Sequence, residues 1–264
     1  MSYIATEQDL ARTYKTPGYA DPYDCVEDYR RVMRYASKHP NKGSQAVSTR
    51  VDLPRSRIRP WMDGAKPDAV RGIDAAVGRE WLPLEADSRM FGPMVELVAW
   101  VFSGGSINDR WVPHFSTNAR EEQSVIRRTL EEVGVSAKIV ERGTGRATEV
   151  VPGQDASVLG RLLHVLGAPI GVKNSDTKLT LPIWLPSAST GVRRRFAEVY
   201  LQNRGHQFED KDTVTFRESR CEQYLSELAN FLADVADAPV RVNGSNVVVS
   251  AEAARNLGVS RRFA

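Results

Sequence analysis

The 264-residue sequence contains few of the residues that mark several protein classes. Its two cysteines, Cys25 and Cys221, are far apart and lack the Cys/His spacing of a structural zinc site, so neither a disulfide framework nor a metal site is expected. No apolar run reaches the roughly 18 residues of a membrane span, and Met1 to Ala20 lacks the basic-then-apolar order of a signal peptide. A cytoplasmic protein without membrane contact is predicted.

The net charge is also small, but it is unevenly distributed. A value of +3 does not by itself indicate a nucleic-acid partner. From Arg30 to Pro60, however, the chain carries nine basic residues against one acid, Asp52. Such a run is usually a solvated face. Here the apolar residues inside the run recur at helical spacing, which favours a binding surface.

The basic segment lies within a series of predicted helices. Apolar spacing and capping residues predict a helix over Asp24 to Ser37 capped by Asp24, a short helix capped by Ser44, a third helix with Pro54 at its first position, and a fourth over Ala65 to Val77. In the third helix, Leu53 and Ile58 face a core and the arginines face outward. Pro60 lacks a backbone N–H and is expected to kink or end this helix early.

A helix with an apolar back and an arginine-rich face suits the DNA major groove, where arginine reads guanine and grips phosphate. The segment resembles the helix-turn-helix of resolvase-like and repressor-like DNA-binding domains. The residues expected to contact DNA here are Lys42, Ser44, Gln45, Arg50, Arg55, Ser56, Arg57 and Arg59.

Beyond Pro93 the order of predicted elements occurs twice. The first copy has an apolar helix from Met94 to the Gly104-Gly105 pair, a strand over Arg110 to Ser116, a helix over Ala119 to Val133, strands over Ala137 to Glu141 and Thr148 to Val151, and a helix over Ala156 to Leu166. The second has a helix over Arg195 to Gly205, a strand over Asp212 to Arg217, a helix over Arg220 to Val235, strands over Val240 to Val242 and Asn246 to Val249, and a helix ending at Leu257.

The offset between the copies is nearly constant at first and then falls. Gly105 and Gly205 are 100 residues apart, whereas Gly167 and Gly258 are 91 apart. The loops of the second copy should therefore be shorter by about ten residues.

This twice-repeated α-β-β-α-β-β-α order resembles the single-chain LAGLIDADG homing endonucleases. The resemblance implies an α+β fold: an all-α helix-turn-helix domain followed by a pseudo-symmetric saddle of two repeats. In that family an acid at the end of each signature helix holds a divalent metal ion for phosphodiester cleavage, and the matching residues here are Gly104 and Arg204. Neither can bind a metal, so we expect no catalysis, no metal and no cofactor, and we expect Arg204 to face the DNA backbone. Four nearby acids leave open an active endonuclease with displaced ligands: Asp109, Glu198, Glu209 and Asp210.

The resemblance also implies that one face of each four-stranded sheet lies on DNA. With Trp111, Phe115 and Ile139 facing inward in the first copy, and Val214, Phe216, Val240 and Val242 in the second, alternation places polar residues outward. The residues expected on DNA are Arg110, His114, Ser116, Lys138, Arg142, Arg204, Thr213, Thr215, Arg217, Arg241 and Asn243.

The sequence therefore predicts a protein that binds double-stranded DNA sequence-specifically. It is expected to be a transcription regulator derived from a homing endonuclease and to act as a monomer. Its expected partners are double-stranded DNA and, in addition, other transcription components. The coupling of the two domain types resembles the WhiA type of regulator, in which their order is reversed. The alternatives are an active endonuclease and a non-specific DNA-binding accessory protein. The expected domains are a tail over 1–22, the helix-turn-helix over 23–82, a linker over 83–92, and the saddle over 93–264 with repeats at about 93–167 and 192–258.

Overall fold

The structure is a computed structural model that describes residues 3–143, 145, 147–209 and 211–259. It is an α+β protein whose chain divides into two compact units. One covers Ala5–Leu84, and the other comprises the residues before Ala5 together with those from Glu85 onward. Short strands Tyr3–Ala5 (β1) and Leu84–Glu85 (β2) pair with each other. Within the described part of the chain, no helix has both the length and the apolarity needed to cross a membrane.

The first unit is helical. Its helices are α1 (Glu7–Ala11), α2 (Pro22–Lys38), α3 (Ser44–Val51), α4 (Arg55–Met62) and α5 (Asp68–Gly78). Side chains from α2, α3 and α4 form one core, made of Cys25, Val32, Val47, Val51, Ile58 and Trp61. This core holds α3 and α4 together across the turn at Asp52, which adopts left-handed backbone angles.

All four predicted helix starts in this unit are displaced by one to three residues, and α5 begins at Asp68 instead of Ala65. Asp21, and not Asp24, caps α2, because its carboxylate accepts the N–H of Tyr23 at 3.0 Å. Gly43 precedes α3, so Ser44 is a helical residue rather than the cap. Pro54 likewise precedes α4 instead of occupying its first position.

Pro60 was expected to kink or end the third helix early, and the helix does not end at Pro60. Helix α4 continues past Pro60 to Met62, and the N–H of Asp63 still reaches the carbonyl of Arg59 at 2.9 Å. Pro60 is exposed, whereas Ile58 and Trp61 are buried on the other side. Burial of these two side chains stabilises the last turn despite the missing hydrogen bond.

Residues expected as a tail form part of this unit. Thr6 and Asp9 make a reciprocal capping box at the start of α1, and Leu10 is fully buried. Arg30 on α2 donates to Glu7 at 2.6 Å. The tail prediction for residues 1–22 therefore fails from Ala5 onward, because α1 packs on the helices that follow it.

The second unit contains the element order helix, two strands, helix, two strands, helix twice. The first set is α6 (Phe91–Ser103), β3 (Gly105–Ile107), β4 (Pro113–Ser116), α7 (Arg120–Glu132), β5 (Ala137–Val140), β6 (Glu149–Pro152) and α8 (Ala156–Val165). After a short 3-10 helix over Leu185–Ser187, the second set is α9 (Thr190–Arg204), β7 (His206–Gln207), β8 (Val214–Arg217), α10 (Glu222–Ala236), β9 (Val240–Asn243), β10 (Asn246–Val249) and α11 (Ala251–Asn256).

Each set forms one antiparallel four-stranded sheet, with strand orders β3-β4-β6-β5 and β7-β8-β10-β9. Helices α6 and α9 pack against each other, and the rings of Phe102 and Phe196 meet edge to face at 5.8 Å. Phe115 on β4 and Phe216 on β8 are buried on the helix side of their sheets. One face of each sheet is thus left for other contacts.

The second set is shorter, but not only in its loops. Residues 141–148 connect β5 to β6, whereas only Gly244 and Ser245 connect β9 to β10. The last helix also shrinks, from ten residues in α8 to six in α11. The predicted deficit is therefore shared between a hairpin turn and a helix.

The segment between the two sets is anchored at both ends. The N–H of Gly171 donates to the carbonyl of Ile107 at 2.8 Å. The indole N–H of Trp184 donates to the carbonyl of Leu166 at 2.9 Å. Between these anchors, residues 174–177 form a largely exposed turn in which Asn174 accepts hydrogen bonds from Asp176 and Thr177.

Candidate nucleic-acid interface

The outward face of the second sheet is polar and basic. Strand register sets Asn246 opposite both Arg217 and Asn243, and Thr215 opposite His206. Directly opposite residues of an antiparallel pair point to the same side. We call this surface the second-sheet face, and its polar residues are His206, Thr215, Arg217, Arg241, Asn243 and Asn246. The other side of the same strands carries Val214, Phe216, Val247 and Val249, all buried.

No acid lies on the paired positions of this face. Arg217 and Arg241 are exposed, and within the described residues neither guanidinium forms an ion pair. Four of the residues predicted to face outward, Thr215, Arg217, Arg241 and Asn243, lie here, and Thr213 directly precedes β8. Among the described residues, the face therefore presents the guanidinium groups of Arg217 and Arg241 without ion pairs, together with asparagine amides.

Two residues of this face, His206 and Asn246, were not among those predicted to contact DNA. His206 lies in β7, a strand of two residues that is too short to show alternation. Asn246 was not singled out. Its signal was present, because Val247 and Val249 facing inward place Val248 and Asn246 outward.

The first sheet differs because one of its outward cations, Arg142, is already paired. Arg142 donates to Glu149 Oε2 through Nε at 2.9 Å and Nη2 at 2.6 Å. His114 Nδ1 lies 2.8 Å from the same oxygen, and its Nε2 lies 3.0 Å from Asn108. Burial acts to raise the pKa of Glu149, but the hydrogen bonds from Arg142 and His114 outweigh it and lower the pKa below its usual value. Glu149 thus neutralises the charge of Arg142.

Other predicted residues of the first sheet have mixed placements. Ser116 lies opposite Glu149, and Lys138 is exposed opposite Val151. Ile139 is in register with buried Val150 on the helix side as expected, yet it is 54% exposed because β5 is an edge strand.

Arg110 is not on a strand. It lies in a turn whose backbone is held by Asn108. The Oδ1 of Asn108 accepts hydrogen bonds from the N–H groups of Arg110 at 2.9 Å and Val112 at 3.0 Å. Trp111, expected to face inward from a strand, has left-handed backbone angles and packs between Arg161 and His164. The predicted strand over Arg110 to Ser116 therefore begins only at Pro113, since the Asn108 turn precedes it.

At the end of α6, the backbone of Gly104 lies close to the side chain of Asn203 on α9. Gly104 follows the helix, and a Cβ added there would clash with Asn203 Oδ1. Any side chain at 104, a carboxylate included, requires Asn203 to move. A glycine at this position is therefore compatible with the packing of α6 on α9.

At the end of α9, Arg204 is bound inside the protein. Its Nε donates to Glu218 Oε1 at 3.0 Å and its Nη2 to the carbonyl of Arg217 at 2.9 Å. Glu218 therefore already pairs the charge of Arg204, which the sequence predicts to face the DNA backbone. About a third of the side chain remains exposed, at 34%.

Glu218 organises a buried polar cluster that the sequence did not indicate. The carboxylate is 1% exposed and accepts hydrogen bonds from Tyr200 at 2.6 Å and Arg220 at 2.8 Å, besides Arg204. Tyr224 donates to the Tyr200 hydroxyl, and burial raises the pKa of Tyr200 well above its ordinary value. We call Tyr200, Arg204, Glu218, Arg220 and Tyr224 the junction cluster.

Lysine and arginine also cap the carbonyls at the end of α6. Lys173 Nζ donates to the carbonyls of Val101, of Phe102 at 3.4 Å and of Gly105 at 2.5 Å. Arg220 Nη2 donates to Phe102 at 2.7 Å. Burial, reinforced by repulsion from Arg220 and Arg204 and opposed by Glu218, lowers the pKa of Lys173 to about 7.

These contacts do not fit divalent metal ions at the helix ends. The carbonyls there accept hydrogen bonds from Lys173 and Arg220. The buried carboxylate of Glu218 is shared among two arginines and a tyrosine. Among the residues that the structure describes, no group of three His, Cys, Asp or Glu could hold a metal. Of the displaced acids, Asp109 and Glu209 are exposed, Glu198 pairs with Arg194 at 2.9 Å, and Asp210 lies outside the described residues.

The predicted helix-turn-helix residues are mostly exposed. Lys42, Gln45, Arg50, Arg55, Ser56 and Arg59 are exposed on or beside α3 and α4, and Ser44 is partly buried. Arg55 donates to Ser44 Oγ at 3.0 Å and so joins the two helices, and Arg59 lies 3.6 Å from Asp63. Arg57 is the exception. Its guanidinium stacks 4.4 Å from the Tyr19 ring centre and donates to Gly18, so it serves packing within this unit.

Comparisons with known proteins give a likeness among solved structures. No protein-family model matches the chain, and no curated protein matches it. The crystal structure of the N-terminal LAGLIDADG domain of DUF199/WhiA is similar with a TM-score of 0.44 and 12% identity, over 70% of this chain and 92% of that chain. A TM-score this low does not establish the fold, and the architecture above rests on the helices and sheets of the chain itself.

Proposed function

We propose that this chain binds double-stranded DNA sequence-specifically. It would be a transcription regulator built on a LAGLIDADG-type saddle that has lost nuclease activity. The observation that carries the proposal is the second-sheet face. Its two arginines, which form no ion pair with any described residue, and its two asparagines stand in register on one side of an antiparallel sheet. Arginine pairs with guanine and asparagine with adenine through bidentate hydrogen bonds in the major groove.

Two DNA-binding surfaces on one chain would strengthen each other's binding. In the first unit α3, the turn at Asp52 and α4 have the order of a helix-turn-helix, with Arg55 and Arg59 on the exposed side of α4. Each DNA-binding surface alone binds weakly, but because both are on one chain, the second contact becomes effectively intramolecular. An internal pseudo-dyad between α6 and α9 supplies the two-fold relation that a dimer would otherwise provide, so the protein acts as a monomer.

The contacts at the helix ends support the proposed absence of nuclease activity. A side chain at Gly104 would require Asn203 to move, and Glu218 is held by two arginines and a tyrosine. Arg220 supplies positive charge and Lys173 further hydrogen bonds to the carbonyls where a metal-dependent enzyme needs its ligands. No cofactor is required for recognition alone.

Selection from a random duplex library tests the function directly. The full chain is expected to enrich one discrete site and to bind it at least about a thousandfold more tightly than random duplex at physiological salt. Supercoiled plasmid carrying that site should stay intact when magnesium or manganese is added.

Two results would replace this proposal. Equal affinity for the selected and random duplexes would make the protein a non-specific accessory. Nicking at the selected site that is abolished by a chelator would make it an endonuclease.

Alanine at Arg55 or Arg59 tests the helix-turn-helix. Each is expected to weaken binding to the selected site by about 1 to 3 kcal/mol, because both guanidinium groups reach base edges or phosphates from the exposed side of α4. Fluorescence anisotropy measures the change. Arg71→Ala is the matched control, since Arg71 is exposed on α5 and pairs with Asp68. Wild-type affinity in both test variants would assign the basic run to a solvated surface.

A further inference from the structure

One large apolar side chain stands on the polar side of the second sheet. Phe208 follows β7 and is 49% exposed. Its ring meets that of His206 edge to face at 4.7 Å. Because His206 lies opposite Thr215, this ring contact places Phe208 beside the second-sheet face. Lys211 Nζ lies 5.5 Å from the centre of the same ring.

The other exposed apolar residues of the two sheets have a simpler explanation. Ile139 and Val242 are in register with buried Val150 and Val247, so they lie on the helix side of edge strands that the helices do not fully cover. Phe208 is on the opposite side, among donors and amides. Val248, also on that side, is partly buried between Thr215 and Arg241.

We propose that Phe208 determines specificity by packing against the C5-methyl group of one thymine in the major groove. The inference rests on the proposed function and names one base that the protein reads. The major groove presents donors and acceptors from every base pair, and its one apolar group is the thymine methyl. A phenyl ring therefore has one chemical complement on that surface.

The ring is also held in place before binding. His206 contacts it edge to face and Lys211 approaches its π face, so it loses little rotational freedom when it meets a ligand. Contact with a methyl group removes apolar surface of both partners from water. Removal of that methyl should weaken binding roughly fourfold, the value expected for one buried methyl-sized group.

A uracil scan of the duplex selected by the full chain tests this contact. Each thymine is replaced in turn by deoxyuridine, which removes only the methyl, and affinity is measured by fluorescence anisotropy. Wild type should show one thymine position at which uracil weakens binding roughly fourfold. In Phe208→Ala that position should become insensitive, and in Phe208→Leu part of the sensitivity should remain. Ile139→Ala, an equally exposed apolar residue on the helix side, should behave as wild type.

The outcomes separate this inference from the function on which it rests. Failure of wild type to bind any selected duplex overturns the proposed function. Specific binding without a methyl-sensitive thymine, or with the same sensitivity in Phe208→Ala, overturns the Phe208 inference alone. Circular dichroism of each variant verifies folding, which an exposed side chain such as Phe208 should not affect.

Discussion

Glu218→Ala is expected to lower the free energy of unfolding by about 3 to 5 kcal/mol, the range for breaking a buried ion pair by removing one partner. Arg220 is 5% exposed, and without Glu218 its guanidinium would be a buried charge without its carboxylate. The Tyr200 hydroxyl would lose its acceptor at the same time. Urea denaturation followed by circular dichroism measures the change in unfolding free energy.

Two variants make this result specific to the junction cluster. Glu218→Gln keeps the size and an acceptor oxygen but removes the negative charge, so an intermediate destabilisation is expected. Glu198→Ala removes an acid that pairs with Arg194 on the outside of α9 and should change stability by less than about 0.5 kcal/mol. Similar destabilisation in Glu218→Ala and Glu198→Ala would mean that the cluster contributes no more than a surface ion pair.

The second large effect concerns salt. The double variant Arg217→Ala with Arg241→Ala is expected to weaken binding to the selected duplex. It should also flatten the slope of log K against log salt by about one unit for each of the two side chains that neutralises a phosphate in addition to, or instead of, pairing with a base. Both side chains are exposed and unpaired among the described residues, so their full charge is available to DNA. Titrations at several salt concentrations give the slope.

The first sheet should respond in the opposite way when its acid is removed. Glu149→Gln is expected to strengthen binding, because it releases Arg142 and eliminates a negative charge from that face. Arg128→Ala, on the outer side of α7 beside Glu132, is the control and should leave the slope unchanged. An unchanged slope in the Arg217 and Arg241 variant would show that the second-sheet face does not contact phosphate.

The faces of the second sheet could be predicted because alternation is a local property. Val214 and Phe216 inward fix Thr215 and Arg217 outward, whatever the rest of the chain does. The same logic places Lys138 correctly, but it cannot show that Ile139 lies on an edge strand, because strand order depends on the whole sheet. Strands β3 and β7, with three and two residues, are too short for any periodicity.

The interior of the site could not be predicted, because its partners are far apart in sequence. Arg220 donates to Phe102 across 118 positions, and His114 meets Glu149 across 35. The sequence shows Arg204 as a free cation and gives no sign that Glu218 is buried beside it. The contact of Arg57 with Tyr19 could not be predicted for the same reason, since Tyr19 lies on a segment that the sequence assigns to a tail.

The anchored segment between the two sets of elements also defines where the chain could be divided. A break after Thr177 would fall next to an exposed turn and leave Lys173 with its carbonyl partners in the first fragment. The second fragment would retain Trp184, whose indole N–H reaches back to Leu166. Helices α6 and α9, one in each fragment, bury Phe102 against Phe196. The two pieces therefore have the elements of a complementation pair, in which either sheet could be exchanged for a variant without altering the other.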